Sequence, residues 1–288
     1  MTTRRSFIQQ AGLITAGILV NPANLLSKPN KRVGIQLYSL RNQLVKDLKG
    51  TLSKVADIGF CEVETYGYTK AAGFWGLNIK EFNELLKQLN LKSPSGHYDF
   101  NSYFLDGKED DLKSYIEAAH ETGQKYVTVP NLSGRLRGSL DGFKIVAEKL
   151  NKASELTKKA GLQLAYHNHA FEFEDFNGKT GYDVLLSQTS PENLKFELDI
   201  YWAVRGGKDP ITLFKQNPGR FHMWHVKDMS KNDTSFTEVG TGRINYTKIF
   251  SEAKLAGVKH YFVEQDVIKI DPFESIKQSH RYIKNTLL

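Results

Sequence analysis

The run GLQLAYHNHAFEFE (residues 161–174) sets out the plan of the chain. Gly161 is suited to ending a helix, and the apolar residues 162–166 that follow read as a buried β-strand. That strand runs into His167 and His169, then into the acidic Glu172 and Glu174. A strand buried on both faces takes Val, Ile and Leu, so imidazoles spaced i, i+2 on one pleat face call for a reason. Metal ligation by neutral imidazole is one reason. Two histidines satisfied by hydrogen bonds in a loop is another, and the stretch alone leaves both open.

Outward from this unit, the same alternation of a β-type apolar run and an amphipathic helical run fills the chain. Strands are expected at 32–39, 61–66, 92–97, 125–130, 163–168, 195–200, 221–227 and 260–265. Helices are expected at 42–58, 78–89, 108–122, 139–160, 181–187, 210–216, 245–256 and 272–285. Gly59, Gly123, Gly161 and Gly257 stand where a helix C-cap would precede the next strand. Such alternation argues for a parallel sheet with helical crossovers. Eight units fit the roughly 250 residues of a (β/α)8 TIM barrel. A doubly wound open sheet is the alternative, weakened because no Gly-x-Gly-x-x-Gly follows the first strand. No linker or low-complexity segment divides residues 31–288, so one α/β domain is expected there. The longest connections, 67–77, 98–107, 170–180 and 229–243, each follow a strand, where a barrel carries its active-site loops.

Composition agrees with a soluble globular chain: of 288 residues, 40% are hydrophobic and 25% charged. The single Cys61 excludes an internal disulfide framework and any cysteine-based zinc site. The N-terminus reads as an address. Paired Arg4 and Arg5, then Ser6, Phe7 and Ile8, precede a weakly apolar run at 11–20, the order of a twin-arginine export signal, placed at residues 1–28. The run is too short to span a bilayer comfortably. A periplasmic location is therefore expected, with retention at the membrane as the alternative because Asn21-Pro22-Ala23 is a poor cleavage site. The formal charge of +7 falls to near +5 without residues 1–27, which hold Arg4 and Arg5 and no acid. The remaining lysines are scattered along helical stretches, which suits solvated faces better than a nucleic-acid footprint.

The last residues of the strands collect Glu64, His97, His167, His169, Glu197, Asp199, His225, Lys227, Asp228, Glu264 and Asp266. Ionisable groups there are costly unless paired or bound to a metal, and in a barrel all these ends converge on one mouth. Imidazoles mixed with carboxylates suit one divalent ion of borderline character. Mn²⁺ is expected first, with Zn²⁺, Co²⁺ or Fe²⁺ as alternatives. Glu197 and Asp199 share a pleat face, and Asp199, nearer the strand end, is the expected ligand.

YHNHAFEF (166–173), FELDIYWA (196–203), WHVKD (224–228), GTGRINY (240–246) and VEQD (263–266) together resemble the xylose isomerase-like TIM-barrel family of sugar phosphate isomerases and epimerases. The likeness runs from VGIQLYSLR (33–41) to the C-terminus. It implies a metal held by His167, Asp199, His225 and Glu264. Family epimerases carry a glutamate where this chain has His167, so the resemblance is closer to the inosose dehydratase-like and 3-keto-glycoside lyase branch. The implied chemistry is proton removal beside the carbonyl of a sugar or keto-glycoside, through an enediolate, leading to isomerisation, epimerisation or elimination. Glu264, His169, Lys227 and His97 are the expected catalytic groups. Glu64, Tyr38 and Trp202 are the expected substrate contacts, with Arg243 toward an anionic group. The partner expected is a small sugar or glycoside, not a nucleic acid or a membrane; a homo-oligomer is left open. The alternatives are a non-catalytic sugar-binding barrel and an AP endonuclease-like nuclease, the latter at odds with the export signal and the short ligand list.

Overall fold

Parallel strands need crossovers, and most of the longer crossover helices here begin at side-chain caps, the helix Asp110–Thr122 being an exception. The computed structural model describes residues 32–288; the expected signal at 1–28, and with it the location, lies outside the described residues. The barrel strands are β1 (Gly34–Gln36), β2 (Glu62–Tyr66), β3 (Lys92–His97), β4 (Tyr126–Val129), β5 (Gln163–His167), β6 (Leu194–Asp199), β7 (Phe221–Val226) and β8 (His260–Val263). They pair in parallel in chain order, and β1 closes on β8 to complete the barrel. The expected (β/α)8 architecture is the observed one, and the open sheet is excluded.

Local chemistry places the boundaries. Asn78 with Glu81 and Thr180 with Asp183 form capping boxes, and Ser139 caps the long helix Leu140–Lys159. Gly59, Gly123, Gly161 and Gly257 all take positive φ, as expected of helix-ending glycines. Three expectations shift. The helix expected at 42–58 is broken after Leu44, because Asp47 accepts the N–H of Gly50 and starts a new helix at Leu48. The one expected at 245–256 divides into Tyr246–Phe250 and Ala253–Ala256. β6 stops at Asp199, not at residue 200, since the Asp199 carboxylate accepts the N–H of Trp202 and opens a short helix, Ile200–Arg205. The loop 229–243 contains a two-residue antiparallel ladder, Asp228–Met229 with Phe236–Thr237.

Strand alternation sends Val63, Val127, Leu164, Phe196, Trp224 and Val263 outward into the apolar core beneath the helices. Inside the barrel Tyr126, Ala165, Met223 and Phe262 form a small plug of their own. Above that plug the interior turns polar, with Glu64, Ser95, Thr128, Glu197 and His225 all fully buried. Polar groups in such a place cost free energy unless each finds a partner. No helix among the described residues is long and apolar enough to cross a membrane.

Candidate metal centre and active site

At the mouth, β5 to β8 bring His167, Asp199, His225 and Glu264 together, with one ligand atom from each within 4.8 Å of the others. All four are buried. The register explains the meeting: Asp199 pairs with His225 across β6 and β7, while Glu264 follows the last residue of β8. His167 Nδ1 lies 3.2 Å from the Pro130 carbonyl, which can only accept, so Nδ1 carries a proton and Nε2 is the nitrogen that can offer a lone pair. That Nε2 stands 3.4 Å from Asp199 Oδ2 and makes no hydrogen bond, while Oδ2 itself meets the Lys227 ammonium at 2.9 Å. A buried, unpartnered imidazole nitrogen within a His₂/carboxylate₂ set is the chemistry of a divalent-ion site. The residues fit the metal expected of them.

A cation of the chain's own already sits there. Lys227 Nζ lies 2.9 Å from Asp199 Oδ2, 2.7 Å from Glu264 Oε2 and 2.7 Å from Asp266 Oδ2. Burial alone would push this ammonium down, but the three carboxylates outweigh it and hold it well above the ordinary lysine range. Burial likewise raises Glu264 and Asp199; Lys227 foremost, with His225 and His167 respectively, reverses this and holds both below the carboxylate range. In Asp266 burial prevails over Lys227 and the carboxyl is raised. The backbone of Lys227 is fixed at both ends by the Tyr246 hydroxyl, which accepts from Lys227 N–H and donates to its carbonyl.

His169 also lines the mouth, its Nδ1 buried without a partner. Burial, with His167 and Lys227 beside it, lowers the imidazole to about 3. The ring is thus neutral at ordinary pH, and Nδ1 is an acceptor in the tautomer that carries its proton on Nε2. Its position is held from behind: Glu172 accepts the His169 N–H at 2.8 Å and the Tyr166 hydroxyl at 2.8 Å.

The cavity over these groups measures about 460 Å³, within the range of small-ligand sites. Tyr38, His97, His167, His169, Lys227 and Glu264 line it, as do Tyr66, Tyr68, Asp99 and Asp266. Three expected substrate contacts lie away from this cavity. Glu64 is fully buried below the floor, its carboxylate taken by Gln36, Ser95 and His225. Trp202 lies behind His169, ring centroids 5.6 Å apart, and does not line the cavity. Arg243 lines a different cleft, with Lys208, Asn245 and Lys248. The loop carrying it is folded away by Asp228, whose carboxylate accepts the N–H groups of Met229, Gly240, Gly242 and Ile244. A Cβ on Gly242 would come within 2.2 Å of Asp228 Oδ1, which accounts for that glycine.

Glu197 and Asp266 went unassigned on sequence. Glu197 is fully buried, its Oε2 2.7 Å from His97 Nε2 and 3.1 Å from His225 Nε2. Its alternation with Asp199 is visible in the sequence; its depth is not.

A parallel eight-stranded barrel with this mouth defines a class, and comparison with known proteins supplies the family. Over residues 52–286 the chain matches the xylose isomerase-like TIM barrel family, and it belongs to that family. A curated relative, inosose dehydratase of Clostridium beijerinckii, is 26% identical over 256 residues, covering 74% of this chain and 85% of the relative. The inosose dehydratase of Geobacillus kaustophilus is 23% identical over 315 residues, covering 92% and 94%. Among solved structures, a sugar phosphate isomerase/epimerase from Parabacteroides distasonis superposes with a TM-score of 0.77 at 28% identity, covering 90% of this chain and 96% of that one.

Proposed function

We propose that the chain is a divalent-metal-dependent enzyme that removes a proton beside the carbonyl of a sugar or keto-glycoside. The observation that carries this is the gathering of His167, Asp199, His225 and Glu264 at the floor of an open cavity, one ligand atom of each within 4.8 Å of the others and the buried Nε2 of His167 without a partner. His167, Asp199, His225 and Glu264 would hold the ion, and a divalent cation there supplies Lewis acidity toward neighbouring substrate oxygens. His169 takes the proton at Nδ1, breaking the C–H bond, and the electron pair moves onto the carbonyl oxygen. Lys227, whose ammonium is anchored by three carboxylates, donates to that developing oxyanion. Return of the proton to carbon gives an isomer or epimer; loss of a group from the next carbon gives a lyase. The named dehydratase relatives are consistent with the second outcome. Mn²⁺ is the first choice of ion from the ligand set, and residues 1–28 would direct the protein to the periplasm.

The test is metal analysis of the purified protein, with turnover of a panel of keto-sugars and 3-keto-glycosides. His225→Ala and Glu264→Ala should each abolish bound metal and turnover. Retained turnover in either variant would refute the assignment, and a metal-free, inactive wild type that still binds sugar would make the barrel a binding protein.

A further inference from the structure

Two quartets of metal-ligand type meet at one ring. His225 Nδ1 faces the outer group of His167, Asp199 and Glu264, while its Nε2 faces an inner group of Glu64, His97 and Glu197. We propose that only the outer group takes an ion, and that the inner group is a hydrogen-bonded buttress in which Glu64 and Glu197 fix the ligating tautomer of His225. The proposal rests on the metal reading above and makes Glu64 and Glu197 positioning residues.

Distances separate the two groups. In the inner one, ring nitrogens and carboxylate oxygens alternate around a square: His225 Nε2 to Glu64 Oε2 2.7 Å, Glu64 to His97 Nε2 3.3 Å, His97 to Glu197 Oε2 2.7 Å, Glu197 back to His225 3.1 Å. Edges of 2.7 Å are hydrogen-bond lengths. Ligands about 2.1 Å from a tetrahedral ion stand about 3.4 Å apart. The outer group has one edge of that short kind, His225 Nδ1 to Glu264 Oε2 at 2.8 Å, but opens to 3.4 Å from His167 to Asp199 and 3.9 Å from His225 Nδ1 to Asp199.

The partners of Glu64 point the same way, whereas Glu197 engages only through Oε2 and its buried Oε1 has no partner. Glu64 Oε1 accepts from Ser95 Oγ at 2.5 Å, and Oε2 accepts from Gln36 Nε2 at 2.8 Å besides His225. Its oxygens have little left to offer a cation. With the Nε2 proton shared by Glu64 and Glu197, Nδ1, which stands 2.8 Å from Glu264 Oε2, is the ring nitrogen left to serve the outer group. Carboxylates behind metal-binding histidines commonly play this part, and their loss weakens metal affinity by about 10–100-fold. Ligation through both nitrogens of His225 would require stripping both ring protons, and the two N–H···O contacts at Nε2 argue against that.

The test uses the full chain, loaded with Mn²⁺ for stoichiometry and titration calorimetry and with Co²⁺ for its visible absorption. Wild type, Glu64→Gln, Glu197→Gln and the milder Ser95→Ala are compared, with thermal unfolding to monitor the fold. One ion per chain in every protein is expected, with affinity about 10–100-fold lower in the two Gln variants, a smaller loss in Ser95→Ala, and a changed Co²⁺ band. Unchanged affinity and spectrum in all three folded variants, while wild type binds one ion, would overturn the proposal and leave the metal reading intact. Two ions in wild type, one of them lost in Glu64→Gln, would make the inner group a second metal site and overturn it too. No ion in wild type would remove both readings.

Discussion

Replacing Lys227 by methionine tests the mouth most directly, because it keeps the length of the side chain and removes a charge that is 1% exposed. Each ammonium–carboxylate contact of 2.7–2.9 Å is worth about 6 kcal/mol of Coulomb energy at an effective dielectric near 20. Most of that is offset by the desolvation of the ammonium. What remains is the cost of leaving Asp199, Glu264 and Asp266 facing one another without a cation, about 3–5 kcal/mol. At about 2–4 °C per kcal/mol for a chain of this size, Lys227→Met should lower Tm by roughly 10 °C in EDTA. Excess Mn²⁺ should restore much of the loss, since a divalent ion offers the same carboxylates a replacement charge. Turnover should remain depressed by about 10²–10³ even when stability is recovered, because the oxyanion donor is gone. The assays are thermal unfolding with and without Mn²⁺ and steady-state turnover of the metal-loaded protein. A variant as stable as wild type in EDTA would refute the reasoning, for it would mean that the three carboxylates do not need Lys227.

Three further outcomes follow from the same contacts. His169→Asn should keep one bound metal while turnover falls by about 10²–10⁴, and since burial holds His169 at about 3, the wild-type rate should show no acidic limb from this group between about pH 5 and 8; metal loss in the variant would reassign His169 as a ligand. Asp228→Ala strands four backbone N–H groups at about 1–3 kcal/mol apiece if they stay dry, so the loop 229–243 should become the first site of limited proteolysis, and an unchanged cleavage pattern would show that the clasp is dispensable. Burial raises Glu172 to about 8 against hydrogen bonds from Tyr166 and the His169 N–H; its folded value thus exceeds the unfolded value of 4.5, the unfolded chain ionises first, and stability should fall by at most about 1.4 kcal/mol per unit as pH rises from about 4.5 to 8. Glu172→Gln should flatten that slope in urea titrations at several pH values, and parallel curves for the two proteins would overturn the assignment.

The architecture was legible because each unit carries its own punctuation. Gly161 ends a helix and residues 163–167 form a strand wherever the rest of the chain lies, and the same holds at Gly59, Gly123 and Gly257. The four outer ligand candidates were legible by a longer route: the family resemblance singled them out, and only the barrel makes their strand ends neighbours. Depth along a strand was not legible. Alternation places Glu197 and Asp199 on the same face, but the register pairs Asp199 with His225 and sets Glu197 one layer lower, opposite Met223. Glu64 misled for the same reason, being level with Gln36 and Ser95 on adjacent strands, which saturate it below the mouth. Arg243 misled because the path of its loop depends on Asp228, a contact that spacing alone does not reveal.

His167 in place of a glutamate alters the charge of the mouth, and with it the reaction the site suits. On the proposed reading, the two carboxylates Asp199 and Glu264 would balance a divalent ion, while the Lys227 ammonium has Asp266 as its further partner. A third ligand carboxylate would leave an excess of negative charge just where a carbonyl oxygen must become an oxyanion. The proton acceptors are also unequal. His169 presents a free, neutral Nδ1 to the cavity, whereas the described hydrogen bond of His97 commits its Nε2 to Glu197, and Glu264 already faces Lys227 and His225. Epimerisation through two matched bases calls for comparable acceptors on both faces of the substrate carbon. One free acceptor beside a well-neutralised oxyanion site suits removal of a single proton followed by departure of the neighbouring group, and this is why elimination is the outcome we favour for this mouth.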